Sequence, residues 1–331
     1  MKHSQETIDK VIALKAEGLS SRAIGAILGI GKSTVNDIYN RTNKEDIDWD
    51  WDNDIDVNAE LQYDPKDVAF KKKGPRILVL DLETAASTVM TFGRYNINLS
   101  QDNIVTEGGW ILCASWRWFG SPTTFSLALT PNEIKQQDDG RIVAELFELY
   151  EQADAILAHN SLGFDHKVVQ TRALYHGFPA LPSVKILDTL ALAKKNLKLP
   201  SNKLDSIGEY FNLGRKLSTG GITLWKEVQS GDEDAMKKMQ LYCMQDVELL
   251  YDVYVKIRQA GKAGSDFNAA LYFDDEEKRC RTCGSIDLVK TGRKITTSVS
   301  TFEEVRCNCC GSVHRTRKST TSKEKLESLI I

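Results

Sequence analysis

The sequence predicts an α/β protein: a mixed sheet flanked by helices, with a small all-α unit before it and a cysteine-bearing module after it. Three observations carry this expectation. Within residues 75–272, apolar strand-like runs come first and helix–strand alternation follows. A strongly acidic stretch at 45–67 cuts this region off from a helical N-terminus. Two Cys-x2-Cys-Gly elements lie in the remaining segment, 273–331.

The elements follow in order. Ile8, Val11, Ile12 and Leu14 have helical spacing, closed by Gly18. Ser20 can cap a second helix through Leu28. Gly29-Ile30-Gly31 makes a turn, and 33–40 reads as a third helix with Val35 and Ile38 inward. Residues 45–67 hold ten acids and one base, so this segment carries −9 of a net charge of −3 and the rest of the chain +6. Such a segment repels itself and reads as a disordered linker. Lys71-Lys72-Lys73 reverse the charge at its end. The expected organisation is a helical unit at 1–44, a linker at 45–74, an α/β domain at 75–272 and a basic cysteine module at 273–331.

Within the α/β domain, 76–83 is a buried strand. Residues 110–118 and 123–129 are two more, divided by the turn residues Gly120-Ser121-Pro122. Residues 85–107 have no period and read as a loop at the end of the first strand. A helix at 142–153, a strand at 156–159, a helix at 165–175 and a strand at 184–188 alternate. The remainder reads as helical, ending in a long helix over 233–259.

Composition sets the outer bounds. The chain has 331 residues, 41% hydrophobic and 27% charged, which is globular and large enough for a substantial core. No apolar run approaches the ~20 residues of a transmembrane helix. Residues 1–6 lack an apolar signal region, so no membrane association is expected and a cytoplasmic location is (the host cytoplasm, for a viral chain). Five of the seven cysteines fall between 280 and 310, which points to metal rather than to a disulfide framework.

The acids of the α/β domain are the most informative residues. Asp81 and Glu83 stand at i and i+2 at the end of an apolar strand, so both side chains point to one face. Two adjacent carboxylates in a buried place repel unless a cation lies between them. His159-Asn160-Ser161-Leu162-Gly163-Phe164-Asp165 ends a strand in a polar turn and opens a helix with an Asp. Tyr242-Cys243-Met244-Gln245-Asp246 places Tyr242 and Asp246 on one face of the long helix.

Taken together, Asp-x-Glu, Asn-x3-Phe-Asp and Tyr-x3-Asp, in this order and context over 75–260, resemble the DEDD superfamily of 3′–5′ exonucleases in its tyrosine-bearing branch. They are most similar to the proofreading exonuclease domain of family B DNA polymerases. Leu187-Asp188-Thr189-Leu190 and Leu199-Pro200-Ser201-Asn202-Lys203-Leu204 look like stand-alone exonucleases of that kind. The resemblance implies a ribonuclease H-like fold and hydrolysis of DNA, at single-stranded 3′ ends, with two Mg2+ or Mn2+ ions. Hard oxygen ligands suit those ions. By the resemblance, Asp81 bridges both ions, Glu83 and Asp246 complete one site and Asp165 holds the second. Tyr242 orients the attacking water, and Asn160 and Phe164 shape the substrate groove. Asp188 reads as a hydrogen-bond acceptor or helix cap before a ligand. Trp110, Trp116 and Trp118 read as packing before base stacking. Tyr95, Asn96 and Asn98, in the strand-end loop, are placed to touch a substrate. A ribonuclease of the same superfamily is the rival within the enzyme class, and a non-catalytic DNA-binding regulator is the rival outside it.

Cys280-Arg281-Thr282-Cys283-Gly284 and Cys307-Asn308-Cys309-Cys310-Gly311 each present two thiolates from a tight turn. Together they resemble a zinc ribbon. Cys280, Cys283, Cys307 and Cys310 are the expected ligands of one structural Zn2+, with strands over 286–290 and 295–305. Cys309 and His314 are spare candidates. From Lys278 onward there are twelve bases and five acids, and Arg293 and Lys294 are among the expected phosphate contacts. Residues 20–39 resemble the helix-turn-helix of recombinases and transposases, with Gly25 where a small Ala is usual and Gly31 in place of the Ser cap. That resemblance makes Lys32, Ser33, Asn36 and Arg41 the expected contacts to duplex DNA.

Overall fold

The structure is a computed structural model. It describes residues 5–16, 24, 27–28, 30, 34–35, 74–93, 95–214, 221–261 and 267–330. The chain divides into two compact units, residues 1–68 and 69–331. In the first, helix α1 (Gln5–Ala16) brings Val11 to a small apolar cluster with Ile24 and Val35, flanked by Ile8, Leu14, Leu28 and Ile30. The candidate DNA contacts Lys32, Ser33, Asn36 and Arg41 lie outside the described residues, as does the acidic segment 45–67.

The second unit is built on a five-stranded sheet in the order β5-β4-β1-β6-β7. β1 (Ile77–Thr84) pairs antiparallel with β4 (Ile111–Trp118) and parallel with β6 (Ala155–Ala158). β5 (Phe125–Ala128) borders β4 antiparallel, and β7 (Lys185–Asp188) borders β6 parallel. This is a mixed sheet flanked by helices, as a ribonuclease H-like fold requires. The central strands are near-continuous apolar runs because helices cover both faces. Leu78, Leu80 and Leu82 point toward α3 (Gly140–Gln152) and α4 (Asp165–Tyr175), where Ile142, Leu146, Tyr150 and Val169 are buried. Ile77 and Val79 point the other way. They meet α5 (Thr189–Asn196), α6 (Leu204–Tyr210) and the long α8 (Glu233–Ile257) through Leu192, Ile207, Val247, Leu250 and Tyr254. Asp81 and Glu83 continue the odd-numbered row, so strand alternation aims them at α8. Trp110, Trp116 and Trp118 are all buried, which makes them core residues.

Two shorter helices complete the domain. α2 (Pro131–Gln136) starts in a capping box: Thr130 Oγ1 accepts from Glu133 N at 3.3 Å, and Glu133 Oε2 accepts from Thr130 N at 2.7 Å. Thr130-Pro131-x-Glu133 was a legible start signal for a helix that sequence reading passes over. α7 (Ile222–Gln229) lies beside the end of β1, where Trp225 Nε1 donates to Thr84 O at 3.1 Å. Gln229 exchanges two hydrogen bonds of 3.0 Å with the backbone of Ala86.

The structure corrects the reading of 85–107 as a loop. This segment holds a hairpin of β2 (Thr88–Val89) and β3 (Ile104–Thr106), with a 3-10 turn at Gln101–Asn103. Strands of two and three residues are too short to show a period. The cysteine module is a three-stranded antiparallel sheet, β8 (Leu288–Thr296), β9 (Thr301–Cys307) and β10 (Val313–Ser319) in the order β10-β9-β8. The expected strand at 295–305 is therefore broken by a turn in which Thr297 N donates to Ser300 O at 2.8 Å. The β-branched residues around that turn conceal it. Helix α9 (Lys323–Glu327) follows. Among the described residues, no helix is long and apolar enough to cross a membrane.

A buried carboxylate locks the helical layer to the sheet. Asp139, fully buried, accepts from Ile111 N at 2.8 Å and from Arg172 Nε and Nη2 at 2.8 and 2.6 Å; His176 Nε2 lies 2.6 Å away. Burial pushes its carboxyl up, but Arg172, the Ile111 amide and His176 outweigh burial and hold it below its ordinary value. Asp139→Asn is expected to destabilise the domain by about 3–5 kcal/mol, because Arg172 is left with an incomplete partner. The unfolded chain takes up this proton near pH ~4, the folded site only at lower pH. The contribution is therefore complete above that range and lost as pH falls through the folded value. Thermal melts of wild type and Asp139→Asn from pH 7 down to 3 should converge at the acid end.

Candidate active site and cysteine centre

Asp81, Glu83 and Asp246 come together although two elements far apart in sequence supply them. One carboxylate oxygen from each lies within 4.8 Å of the others. β1 delivers Asp81 and Glu83 on one face. Its register sets Asp81 opposite Ser115 and Glu83 opposite Cys113, and an irregularity follows between Glu83 and Thr84. Asp246 sits on the core-facing stripe of α8, between Cys243 and Val247, and is 1% exposed. Three carboxylates this close, one of them fully buried, repel one another in low dielectric unless a cation joins them. The donor set consists of hard oxygens, which fits Mg2+ or Mn2+.

Asp165 is not part of this trio. It opens α4 and is buried. Burial pushes its carboxyl up to about 7; its own backbone amide opposes this, and the charge of Asp188 adds to it. Asp188 itself is the N-cap of α5, accepting from Leu190 N at 2.9 Å and Ala191 N at 3.2 Å. It also accepts from Asn160 N at 3.1 Å and Leu162 N at 3.4 Å. Its role is thus to fix the turn that leads into Asp165. In that turn Asn160 adopts φ 71°, and Gly163 N and Phe164 N both donate to Asn160 O at 2.9 Å. A side chain at 163 would meet Asn160 Oδ1 at 2.7 Å, so only glycine fits without displacement there.

Tyr242 and Asn160 line one open cleft of about 650 Å³, together with His159, Leu190, Lys194, Asn202, Lys203, Leu204 and Asp205. His159 joins two parts of the lining: Nδ1 lies 2.8 Å from Thr189 Oγ1 and Nε2 lies 3.0 Å from Asn202 O. Phe164 is partly exposed but is not among the lining residues. Sequence reasoning assigned no role to His159, Lys194 or Lys203. Lys203 belongs to a segment already singled out at 199–204; for Lys194 the sequence holds no signal, since it is one lysine on a short helix.

The cysteine centre consists of two near-identical turns. Gly284 N donates to Cys280 O at 2.8 Å and Gly311 N to Cys307 O at 2.9 Å. Cys280 N and Cys307 N donate to Ser285 O and Ser312 O at 2.8 and 2.9 Å. Gly284 and Gly311 have φ of 76° and 77°, the left-handed region that glycine enters without strain. The Sγ atoms of Cys280, Cys283, Cys307 and Cys310 lie within 4.8 Å of one another. The pairs Cys280–Cys310 and Cys283–Cys307 are 3.6 Å apart. Tetrahedral Zn–S bonds of about 2.3 Å put sulfurs about 3.8 Å apart, whereas a disulfide needs about 2.05 Å. The arrangement therefore fits a tetrahedral thiolate site. Cys309 is exposed and outside the four; His314 Nε2 lies 3.4 Å from Cys280 Sγ and is also outside. Arg293 and Lys294 are exposed on β8 and do not line the cleft.

Comparison with known proteins places residues 111–258 in a match to the family model RNase_H_2, of the RNase_H superfamily. Asp165, Tyr242 and Asp246 lie inside the matched segment; Asp81 and Glu83 precede it. Among solved structures, the chain is similar to the family B DNA polymerase from the hyperthermophilic archaeon Pyrobaculum calidifontis. The identity is 16% and the TM-score 0.39, over 56% of this chain and 25% of that one. This chain thus spans about a quarter of that polymerase's length. No curated protein matches it.

Proposed function

We propose that this chain is a metal-dependent 3′–5′ exonuclease that hydrolyses phosphodiester bonds of DNA. One observation carries the reading: Asp81, Glu83 and Asp246, from a strand and a helix, form a compact carboxylate cluster in an α/β domain that matches the RNase_H superfamily. Glu83 and Asp246 with Asp81 would hold one Mg2+ or Mn2+, and Asp81 with Asp165 the second. Bound there, two such ions supply an activated water and neutralise charge on the attacking and leaving oxygens. The protein's own groups do the rest. Tyr242, which lines the cleft, holds the attacking water by hydrogen bonding through its hydroxyl. Lys194 and Lys203 balance the phosphates of the strand lying in the cleft, and Asn160 contacts its terminal nucleotide. The four cysteines hold one structural Zn2+. Arg293 and Lys294 on the cysteine module and Lys32, Ser33, Asn36 and Arg41 of the N-terminal unit add affinity for nucleic acid.

The test uses the full chain with Mg2+ or Mn2+ on end-labelled single-stranded DNA, duplex DNA and RNA of one sequence. The expected result is a ladder that shortens DNA from its 3′ end. A ladder on RNA alone would make the protein a ribonuclease. Binding without cleavage of any substrate would make it a DNA-binding regulator.

A further inference from the structure

Two buried cysteines adjoin the carboxylate cluster and have no part in the reaction proposed above. Cys243 and Cys113 are both fully buried. Cys243 belongs to the stripe Met236, Met239, Cys243, Asp246 and Leu250 that α8 turns to the core. It therefore lies one turn from Asp246 on the same face. Its Sγ is 3.5 Å from Asp81 O and 3.5 Å from Asp81 Oδ2, with the thiol as donor. Cys113, on β4, is the cross-strand partner of Glu83 and lies in the same core cluster as Cys243. Cross-strand partners project to the same face. The thiol pair thus touches all three elements that shape the cluster: α8, β1 and the strand beside it.

From this geometry we infer that Cys243, backed by Cys113, is a positioning residue that orients the Asp81 carboxylate toward Glu83 and Asp246. The inference rests on reading those three acids as cation ligands. A thiol suits the task for two reasons. It is small enough for α8 to lie close on β1 at this point. It is also a weak donor, so it can steer one Asp81 oxygen without taking much of the charge that a cation needs. A hydroxyl would hold the same oxygen more strongly, and an alkyl group would not hold it at all.

The test measures Mn2+ uptake by the full chain directly, from the electron paramagnetic resonance signal of free Mn2+, alongside DNA cleavage. Cys243→Ala is expected to bind Mn2+ about fivefold to tenfold more weakly than wild type, the size of one lost hydrogen bond. Cys243→Ser should recover binding to within about twofold, because the donor is restored. A structural role alone would lower the melting temperature of both variants without separating their Mn2+ affinities. Equal Mn2+ affinity for wild type and folded Cys243→Ala would overturn the inference while leaving the exonuclease reading intact. If the alanine variant does not fold, Cys243→Thr and Cys243→Val provide the same contrast in matched shapes, and equal affinities in that pair would overturn it too. A wild-type chain that takes up no Mn2+ would remove the ligand reading, and this inference with it.

Discussion

Asp81→Ala is expected to reduce cleavage about a thousandfold or more while leaving the folded domain intact. Asp81 is the acid assigned to both cations, and losing such a ligand removes several kcal/mol of charge stabilisation from the transition state. Stability should not fall with it. Asp81 shares a site with Glu83 and Asp246, so its removal relieves like-charge repulsion when no cation is bound. Without divalent ions, the melting temperature of the variant should equal or exceed that of wild type. Asp246→Ala should be as inactive, for the same reason. Tyr242→Phe should be milder, about tenfold to a hundredfold slower, because the ring still lines the cleft and the proposed hold on the attacking water is what is removed. Full activity in a clean Asp81→Ala preparation would remove the assignment of the whole cluster.

The second large effect concerns the cysteine centre. Zinc removal, or Cys280→Ser, is expected to unfold the three-stranded sheet. That sheet has little else to hold it. Its buried cluster is Cys280, Cys307 and Cys310, with Cys283 and Leu288 packed against them, and Phe302 is buried beneath Arg315. A module with so small a core would depend on the proposed zinc, since structural zinc contributes about 10–16 kcal/mol to such folds. The loss should be felt beyond the sheet. Arg281 Nε donates to Phe267 O at 3.1 Å, Ala269 N donates to Arg281 O at 2.8 Å, and the Phe273 ring lies against Gly284 and Gly74. Elemental analysis should find one zinc per chain. Limited proteolysis of the zinc-free chain should cut first within β8–β10 and then near residue 267. Resistance of that region after verified zinc removal would show that the thiols need no cation.

Both expectations draw on residues that could be named before any fold was known. β1 and β4 could be read directly as near-continuous apolar runs, and α3 and α8 because each keeps a helical apolar period over two or more turns. The carboxylates of β1 and α8 were legible because three short motifs, in order and context, resemble one exonuclease superfamily; i, i+2 on the strand and i, i+4 on the helix fixed only their local direction. The cysteine ligands were legible because a thiolate pair on a tight turn needs its glycine close by. The β2–β3 hairpin and the turn at 297–300 were not, since two or three residues carry no period.

Sequence alone thus determined the fold class, the two carboxylate-bearing elements and, through the Cys-x2-Cys-Gly spacing, the four thiols. Only the tertiary structure decided how closely these groups meet and what packs beside them. It brought one oxygen each of Asp246, Asp81 and Glu83 to within 4.8 Å of the others, with Asp165 buried at the start of α4 and outside that trio. It gave Asp188, already read as a cap, its second set of partners in the 160–162 turn, and it set Cys113 and Cys243 beside the acids. The physical reason is register. Which residue of β4 faces Glu83, and which turn of α8 lies over Asp81, depend on packing two apolar faces together across long stretches of chain, and no spacing within one element encodes that choice.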